Sequence, residues 1–308
     1  MGDWIQLIDH ASLPFLVWLQ GFQNDWITAL MRFFSYLGTE YFFLFLLPFL
    51  YWTVSKRWGA LVAFSLIFSS YWAGFIKWTF NLPRPPSPPI EKLWHETSPS
   101  FISGHAVTAM AVWGTMAVLA RRVWFWALAA IVIFFIGFSR LYLGVHYPID
   151  VVGGWLVGAM VAWSVLAMSA QFESWLRRWP ASKTLLIALF FSLVLVVFHP
   201  HWRAENLWPA PNAVLLGGLL FGMVVGLVWD MKSLHFQVDG SWRRRLLRLL
   251  LGLLVVGVFY IGPKLLIDQL EVSYFLGEQA LRFGRYALVG FAVSGIAPWL
   301  FQRLRLAQ

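Results

Sequence analysis

Between Lys77 and Asp150 the chain sets a Lys, two Arg, a Ser-Gly-His triplet, a second His and an Asp at the ends of long apolar segments. Ionisable groups at membrane depth are costly, so such a cluster is by default a functional-site hypothesis. Lys77, Arg84 and Arg140 supply cations, His105 and His146 supply imidazoles, and Asp150 supplies a carboxylate. That set is suited to holding a phosphate and breaking a bond to it.

Three segments carry the set. In the first, Lys77 precedes Arg84 by seven residues, with Pro83 and Pro85 around the Arg. The prolines stop a helix and stiffen the turn, so both cations can point at one place. Arg offers forked donors that match phosphate oxygens, and Lys offers a point charge. Alone, this segment also reads as a snorkelling Lys and an interfacial Arg. The second segment, Ser100-Phe-Ile-Ser103-Gly104-His105, opens an apolar run. A helix N-terminus carries unpaired N–H groups and a positive dipole end, which suit an anion. Ser103 adds a hydroxyl, Gly104 lets a ligand approach the backbone, and His105 can supply a proton near neutral pH. A plain Ser cap with an incidental His is the other reading.

The third segment runs from Ser139-Arg140 through Gly144 and His146-Tyr-Pro148 to Asp150. Gly144 fits a sharp turn and Pro148 the first turn of a helix, which brings the Asp150 carboxylate near His146. An Asp that accepts a bond from one ring nitrogen fixes the tautomer and frees the other nitrogen as a nucleophile. The alternative makes Asp150 a helix N-terminal charge and His146 an interfacial side chain, but then a buried Arg140 has no purpose. No carboxylates or His cluster at metal-ligand spacing, and Asp150 is the only acid among these positions. A two-metal phosphatase is therefore argued against, and neither a metal nor a cofactor is expected.

The elements that position these groups follow from composition. The 308 residues are 60% hydrophobic and 12% charged, against about 25% charged in soluble domains. Long apolar runs recur along the chain, so an all-α, polytopic helical membrane protein is expected. The runs are continuous rather than alternating, which argues against a β-barrel. With no cysteine, disulfides and thiolate metal sites are excluded. The first 30 residues lack the pattern of a removable signal peptide.

Nine spans are expected, at roughly 38–54, 58–80, 103–120, 123–143, 149–170, 183–198, 212–229, 247–266 and 283–300. Residues 12–34 are apolar but broken by Gln23, Asn24 and Asp25, which suggests an interfacial helix or a re-entrant pair, with a tenth span as the alternative. On these spans one side collects Lys56, Arg57, Arg121, Arg122, Arg177, Arg178, Lys183, Lys232, Arg243, Arg244, Arg245, Arg248, Arg303 and Arg305, which is 14 of the 23 basic residues. That side should be cytoplasmic, with the C-terminus on it and the cluster facing outward. The same loops explain the net charge of +9, so nucleic acid is not an expected partner. The run from Trp242 to Arg245 reads as a topology signal rather than a lipid-headgroup site. The expected organisation is an N-terminal segment (1–37), a catalytic core (38–170), a cytoplasmic linker (171–182) and a four-helix transmembrane region (183–308).

In order, K-x6-R-P, S-G-H and S-R-x5-H-x3-D resemble the motifs of the type 2 phosphatidic acid phosphatase (PAP2) superfamily, over about residues 60–160. The resemblance implies a PAP2-type helical bundle and a set of roles. His146 would be the nucleophile that forms a phosphohistidine, Asp150 would orient it, and His105 would protonate the leaving oxygen. Lys77, Arg84, Ser103, Gly104 and Arg140 would hold the phosphoryl oxygens. Ile102 stands where the family often has Pro before the Ser of the second motif; that Pro does no chemistry, so activity is expected to survive. The Arg-Pro-x-Ser-Pro-Pro run at 84–89 and the extra C-terminal spans look like the sphingosine-1-phosphate phosphatase branch.

The leading expectation is a metal-independent lipid phosphate phosphatase whose substrate reaches the site from the bilayer. An undecaprenyl diphosphate phosphatase, a lipid headgroup phosphotransferase and, from another class, a transporter are the alternatives. The spans expected within 183–300 hold almost no intramembrane charge, and Gly217, Gly218, Gly222 and Gly226 fit close helix packing, which disfavours transport. Those extra spans could instead form a homodimer contact. His95 and Glu96 are expected as solvated loop residues, with a headgroup contact as the alternative. His10, His199, His201 and His235 lie in terminal or loop contexts, and the pair His199 and His201 lacks a third metal ligand.

Overall fold

A computed structural model of the chain describes residues 3–200, 208–268 and 274–307. His201 lies outside the described residues, which contain helices and no strand. The helices are α1 (Asp3–Gln20), α2 (Asp25–Tyr36), α3 (Glu40–Phe49), α4 (Lys56–Phe80), α5 (Gly104–Ala120), α6 (Val123–Tyr142), α7 (Pro148–Arg178), α8 (Ala181–Phe198), α9 (Pro211–Trp229), α10 (Trp242–Asp268), α11 (Phe275–Phe291) and α12 (Ala297–Arg303). Two compact units form: residues 1–45 with 68–166, and residues 46–67 with 167–308. Every residue expected to do chemistry belongs to the first.

Among the described residues, six helices are long and apolar enough to cross a membrane: α4, α6, α7, α8, α9 with its continuation to Leu234, and α10 up to Ile267. A seventh arises if α2 and the segment Glu40–Val54, bent by 51°, count as one broken span. The expectation of nine is corrected at two places. Helix α5 has 17 residues, about 26 Å at 1.5 Å per residue, short of the ~30 Å hydrocarbon core. Helix α11 starts at Phe275, earlier than expected, and its first three turns carry Glu278, Gln279, Arg282 and Arg285. The expected linker at 171–182 is also largely helical, because α7 continues to Arg178. Glu173 and Arg177 pair there at 2.7 Å with i,i+4 spacing, and the two terminal Arg suit the negative end of the helix dipole.

In the first unit, α7 packs its backbone onto α5. A Cβ added at Gly154 would lie 2.9 Å from the Ser103 carbonyl oxygen, and one at Gly158 would strike the Val107 carbonyl. This is small-xxx-small packing at i,i+4, and it fixes the height of α5 against α7. Gly137 on α6 receives the Trp155 ring of α7 in the same way, with an added Cβ 2.6 Å from it. Around this frame, α1 and α2 pack on α6. A core of Leu16, Leu19, Met31, Ile90, Leu143, Val145 and Tyr147 closes the end where the loops meet.

The second unit is built on the glycine stripe of α9. An added Cβ at Gly218 would sit 2.5 Å from the Phe283 carbonyl of α11, and one at Gly222 would overlap the Ala287 carbonyl. The close packing expected of these glycines is what they provide. A buried Asp230 accepts from Lys56 Nζ at 2.5 Å and from the Phe236 amide at 2.8 Å. Arg248, counted above with the loop charges, is fully buried and donates to the Asp239 carbonyl at 2.6 Å.

Candidate active site

Helix α4 stops at Phe80, three residues before Pro83, and Asn81 takes φ +47. A left-handed residue just past the last turn is a common way to reverse a chain. The loop then returns, and the Ser100 amide donates to the Leu82 carbonyl at 2.9 Å. This reversal lays residues 98–100 across the two cations of the first segment. Lys77 Nζ donates to the carbonyls of Pro99 (2.5 Å) and Ser100 (3.2 Å). Arg84 Nε donates to the Ser98 carbonyl at 2.7 Å, and its Nη1 to the Val145 carbonyl at 2.6 Å. These neutral carbonyls orient both side chains without cancelling their charge.

The second segment caps α5. Ser103 is extended, its fully buried Oγ accepts from the Ala106 amide at 3.5 Å, and its own amide donates to the Asp150 carbonyl at 3.0 Å. At Gly104 the nearest atom an added Cβ would meet is Lys77 Cε, at 3.8 Å. The protein itself therefore does not need glycine there, and the space beside Lys77 stays open. His105 packs edge-on to the Trp94 ring, 6.4 Å between centroids, and its buried Nε2 has no hydrogen-bond partner among the described residues. Gly38 lets the chain pass this imidazole, since a Cβ would come within 2.8 Å of Cδ2.

The third segment turns at Gly144, φ +71, where a side chain would collide with the Glu91 carbonyl. That turn delivers His146 to Asp150. The His146 Nδ1 to Asp150 Oδ2 distance is 3.0 Å, and the same oxygen accepts from Ser100 Oγ at 2.5 Å and from the Tyr147 amide at 2.9 Å. On the far side of the ring, Nε2 lies 3.2 Å from Arg84 Nη1. A guanidinium only donates and a carboxylate only accepts, so both neighbours demand one tautomer: Nδ1–H toward Asp150 and a lone pair on Nε2. Burial, then the positive charges of Lys77, Arg84, Arg140 and His105, hold the His146 imidazole well below its ordinary pKa of 6.5. The ring is thus kept neutral with its free nitrogen facing the cations.

Arg140, fully buried, donates through Nη1 to Ser35 Oγ and through Nη2 to Glu96 Oε1 at 2.5 Å, and its guanidinium lies 5.3 Å from the Trp94 ring centroid. Glu96 also approaches Arg84 Nη2 at 3.6 Å. The solvated role expected of Glu96 is therefore corrected: its carboxylate joins the guanidiniums of the first and third segments. Direct contacts link Lys77, Arg84, His146, Asp150 and Arg140 through residues 96–100, while Gly104 borders Lys77 and His105 reaches the group through Trp94. Sequence reasoning gave no catalytic part to Ser35, Trp94, Ser98 or Ser100. Ser100 alone carried a signal, because it lies three residues before Ser103. Asp9 of α1 is a further buried carboxyl, pushed up to about 7 by burial and by the charge of Asp150.

Lipid phosphate phosphatase delta of Arabidopsis thaliana is 20% identical over 322 residues, covering 97% of this chain and 70% of that protein. A probable sphingosine-1-phosphate phosphatase of Dictyostelium discoideum is 26% identical over 239 residues, covering 71% of this chain and 57% of that protein. Among solved structures, a transmembrane PAP2 type phosphatidylglycerolphosphate phosphatase from Bacillus subtilis aligns with a TM-score of 0.47 at 24% identity, covering 55% of this chain and 88% of that one. The chain thus spans 70% and 57% of the length of these two relatives. Residues 58–174 match the PAP2 superfamily, and residues 214–308 match the transmembrane extension of PAP2 superfamily phosphatases. The first match contains every motif residue from Lys77 to Asp150, and this multi-pass membrane protein belongs to the PAP2 superfamily.

Proposed function

We propose that the chain is a lipid phosphate phosphatase that hydrolyses a phosphomonoester through a phosphohistidine on His146. The observation that carries this reading is the two-sided constraint on that ring, Asp150 at 3.0 Å from Nδ1 and Arg84 at 3.2 Å from Nε2. Nε2 attacks phosphorus, the N–P bond forms, and the P–O bond to the lipid breaks. The electron pair leaves on the lipid oxygen, which takes a proton from His105. Water then attacks the phosphohistidine, His105 takes the proton from that water, and His146 departs with the N–P electron pair. Lys77, Arg84 and Arg140, with Ser103 and the open space at Gly104, hold charge on the phosphoryl oxygens as it develops. Asp150 balances the imidazolium that forms when Nε2 bonds to phosphorus.

The chemistry needs no divalent ion in this reading, because the charge on phosphorus is met by guanidinium and ammonium groups. Among the described residues no three His, Cys, Asp or Glu side chains gather to hold one. Single-tailed sphingoid phosphates are the favoured substrate class, on the likeness to the Dictyostelium discoideum phosphatase and on the Pro-rich run at 84–89. Basic residues gather at the far ends of the helices that carry the site, Lys56 and Arg57 opening α4, Arg121 and Arg122 following α5, and Arg177 and Arg178 ending α7, which favours an outward-facing site.

The test is phosphate release from a panel of lipid phosphates by purified protein in excess chelator, with an isoprenoid diphosphate and a headgroup acceptor as comparison arms. Turnover of a sphingoid phosphate that survives chelation is expected. Turnover that requires added divalent metal would end the metal-independent reading, and transfer in place of free phosphate would end hydrolysis. Because the chain has no Cys, a single Cys placed in loop 86–94 reports the side directly: labelling by an impermeant reagent from the cytoplasmic face would refute the orientation.

A further inference from the structure

One charged side chain at the site has no part in the steps above. Glu96 Oε1 lies 2.5 Å from Arg140 Nη2, and Oε2 lies 3.6 Å from Arg84 Nη2. It is the only carboxylate paired with either guanidinium among the described residues. The remaining acceptors of Lys77, Arg84 and Arg140 are carbonyl oxygens, hydroxyls and one imidazole nitrogen. A neutral acceptor orients a guanidinium; a carboxylate cancels its charge. Glu96 therefore stands where a phosphoryl oxygen would, competing for the same Nη2 protons.

Glu96 is also the member of the group that can leave. Its side chain is 20% exposed, against 0% for Arg140 and 9% for Arg84. Residues 94–97 make no backbone–backbone hydrogen bond among the described residues, between anchors at Leu93, whose amide donates to the Leu143 carbonyl, and at Ser98, whose carbonyl takes Arg84. The carboxylate can swing outward without breaking either anchor. Arg84 and Arg140 keep their neutral partners while it does so, which preserves the shape of the subsite.

Resting on the phosphatase reading, we propose that Glu96 is a built-in stand-in for the phosphoryl group, holding Arg84 and Arg140 in the empty site and yielding them to substrate. Its negative charge then weakens the site for phosphate monoesters and for released phosphate alike, and so favours product departure. A residue that merely held Arg140 in position would do the opposite, because its loss would let the guanidinium wander and weaken phosphate binding.

The full chain in detergent is compared with Glu96→Gln and Glu96→Asp, using labelled inorganic phosphate in equilibrium dialysis. Glu96→Gln should bind phosphate about tenfold tighter or more. Glu96→Asp, which keeps the charge, should stay near the parent. In turnover, KM for the lipid phosphate should fall and inhibition by phosphate should strengthen in Glu96→Gln. Equal, weaker or undetectable phosphate binding by Glu96→Gln overturns the proposal, as does equal tightening in both variants. If Glu96→Gln is less stable, the rise in Tm on adding phosphate replaces dialysis, and a rise no larger than the parent's counts against the proposal. Failure of the parent to turn over any lipid phosphate would sink the phosphatase reading by itself, while the binding comparison still decides the role of Glu96.

Discussion

Asp150→Asn isolates the charge behind the proposed nucleophile. The substitution keeps the side-chain shape and leaves one oxygen to accept from Ser100, the Tyr147 amide or His146, all of which now meet at Oδ2. What it removes is the anion 3.0 Å from Nδ1, which on the proposed mechanism faces the imidazolium of a phosphorylated His146. Both side chains are almost wholly buried, so solvent screening is small. At that distance and an effective dielectric constant of about 20, the attraction is roughly 5 kcal/mol. At 1.36 kcal/mol per decade this corresponds to a kcat lower by on the order of 10³ to 10⁴. The assay is phosphate release under saturating lipid phosphate, normalised to folded protein, because removing a buried charge among cations also lowers stability. A loss smaller than about tenfold would refute the reasoning, since the carboxylate would then not be facing the charge that develops in the transition state.

Two further outcomes follow from particular contacts. His146 is held below its ordinary pKa of 6.5 in the folded protein, so the unfolded chain takes up that proton first as pH falls. Its contribution to stability is complete above about pH 6.5 and is lost as pH drops toward the folded pKa. The acid limb of kcat/KM assigned to the nucleophile should likewise lie below 6.5, and a limb above that value in a pH–rate profile would contradict the geometry. Gly158→Ala places a Cβ on the Val107 carbonyl and 2.8 Å from Met110 Cβ, which should destabilise the α5–α7 contact by roughly 1–3 kcal/mol. Gly114→Ala, whose added Cβ meets nothing closer than 3.9 Å, is the control; equal Tm values for the two variants would show that the close approach does not matter.

The residues that the fold gathers at the candidate site could be picked out in the sequence because each segment carries its own local signal: a cation before a Pro-flanked turn, a Ser-Gly-His helix start, and an Arg and His bracketing a glycine turn. Membrane character was equally plain from composition. What could not be read was how the loop folds back. Glu96 looks solvated in sequence because a carboxylate in a Pro-rich loop is usually exposed. Its pairing with Arg140, 44 positions away, depends on the reversal at Asn81 and on the Ser100–Leu82 hydrogen bond. Ser35 reaches Arg140 from 105 positions away, a contact that no local pattern encodes. The count of spans failed for a different reason. Apolar run length measures composition and not where a helix begins, so α5, capped at Ser103, proved short, and α11, starting at Phe275, took in polar turns that its apolar second half had concealed.

The central claim is a covalent bond between phosphorus and Nε2 of His146. Rapid quenching of the purified protein with a ³²P-labelled sphingoid phosphate, followed by peptide mapping, tests it most directly. An acid-labile, base-stable phosphoenzyme is expected on the peptide containing His146, formed and discharged at rates compatible with turnover and absent in His146→Ala. Label on another residue, or full turnover by His146→Ala, would contradict it.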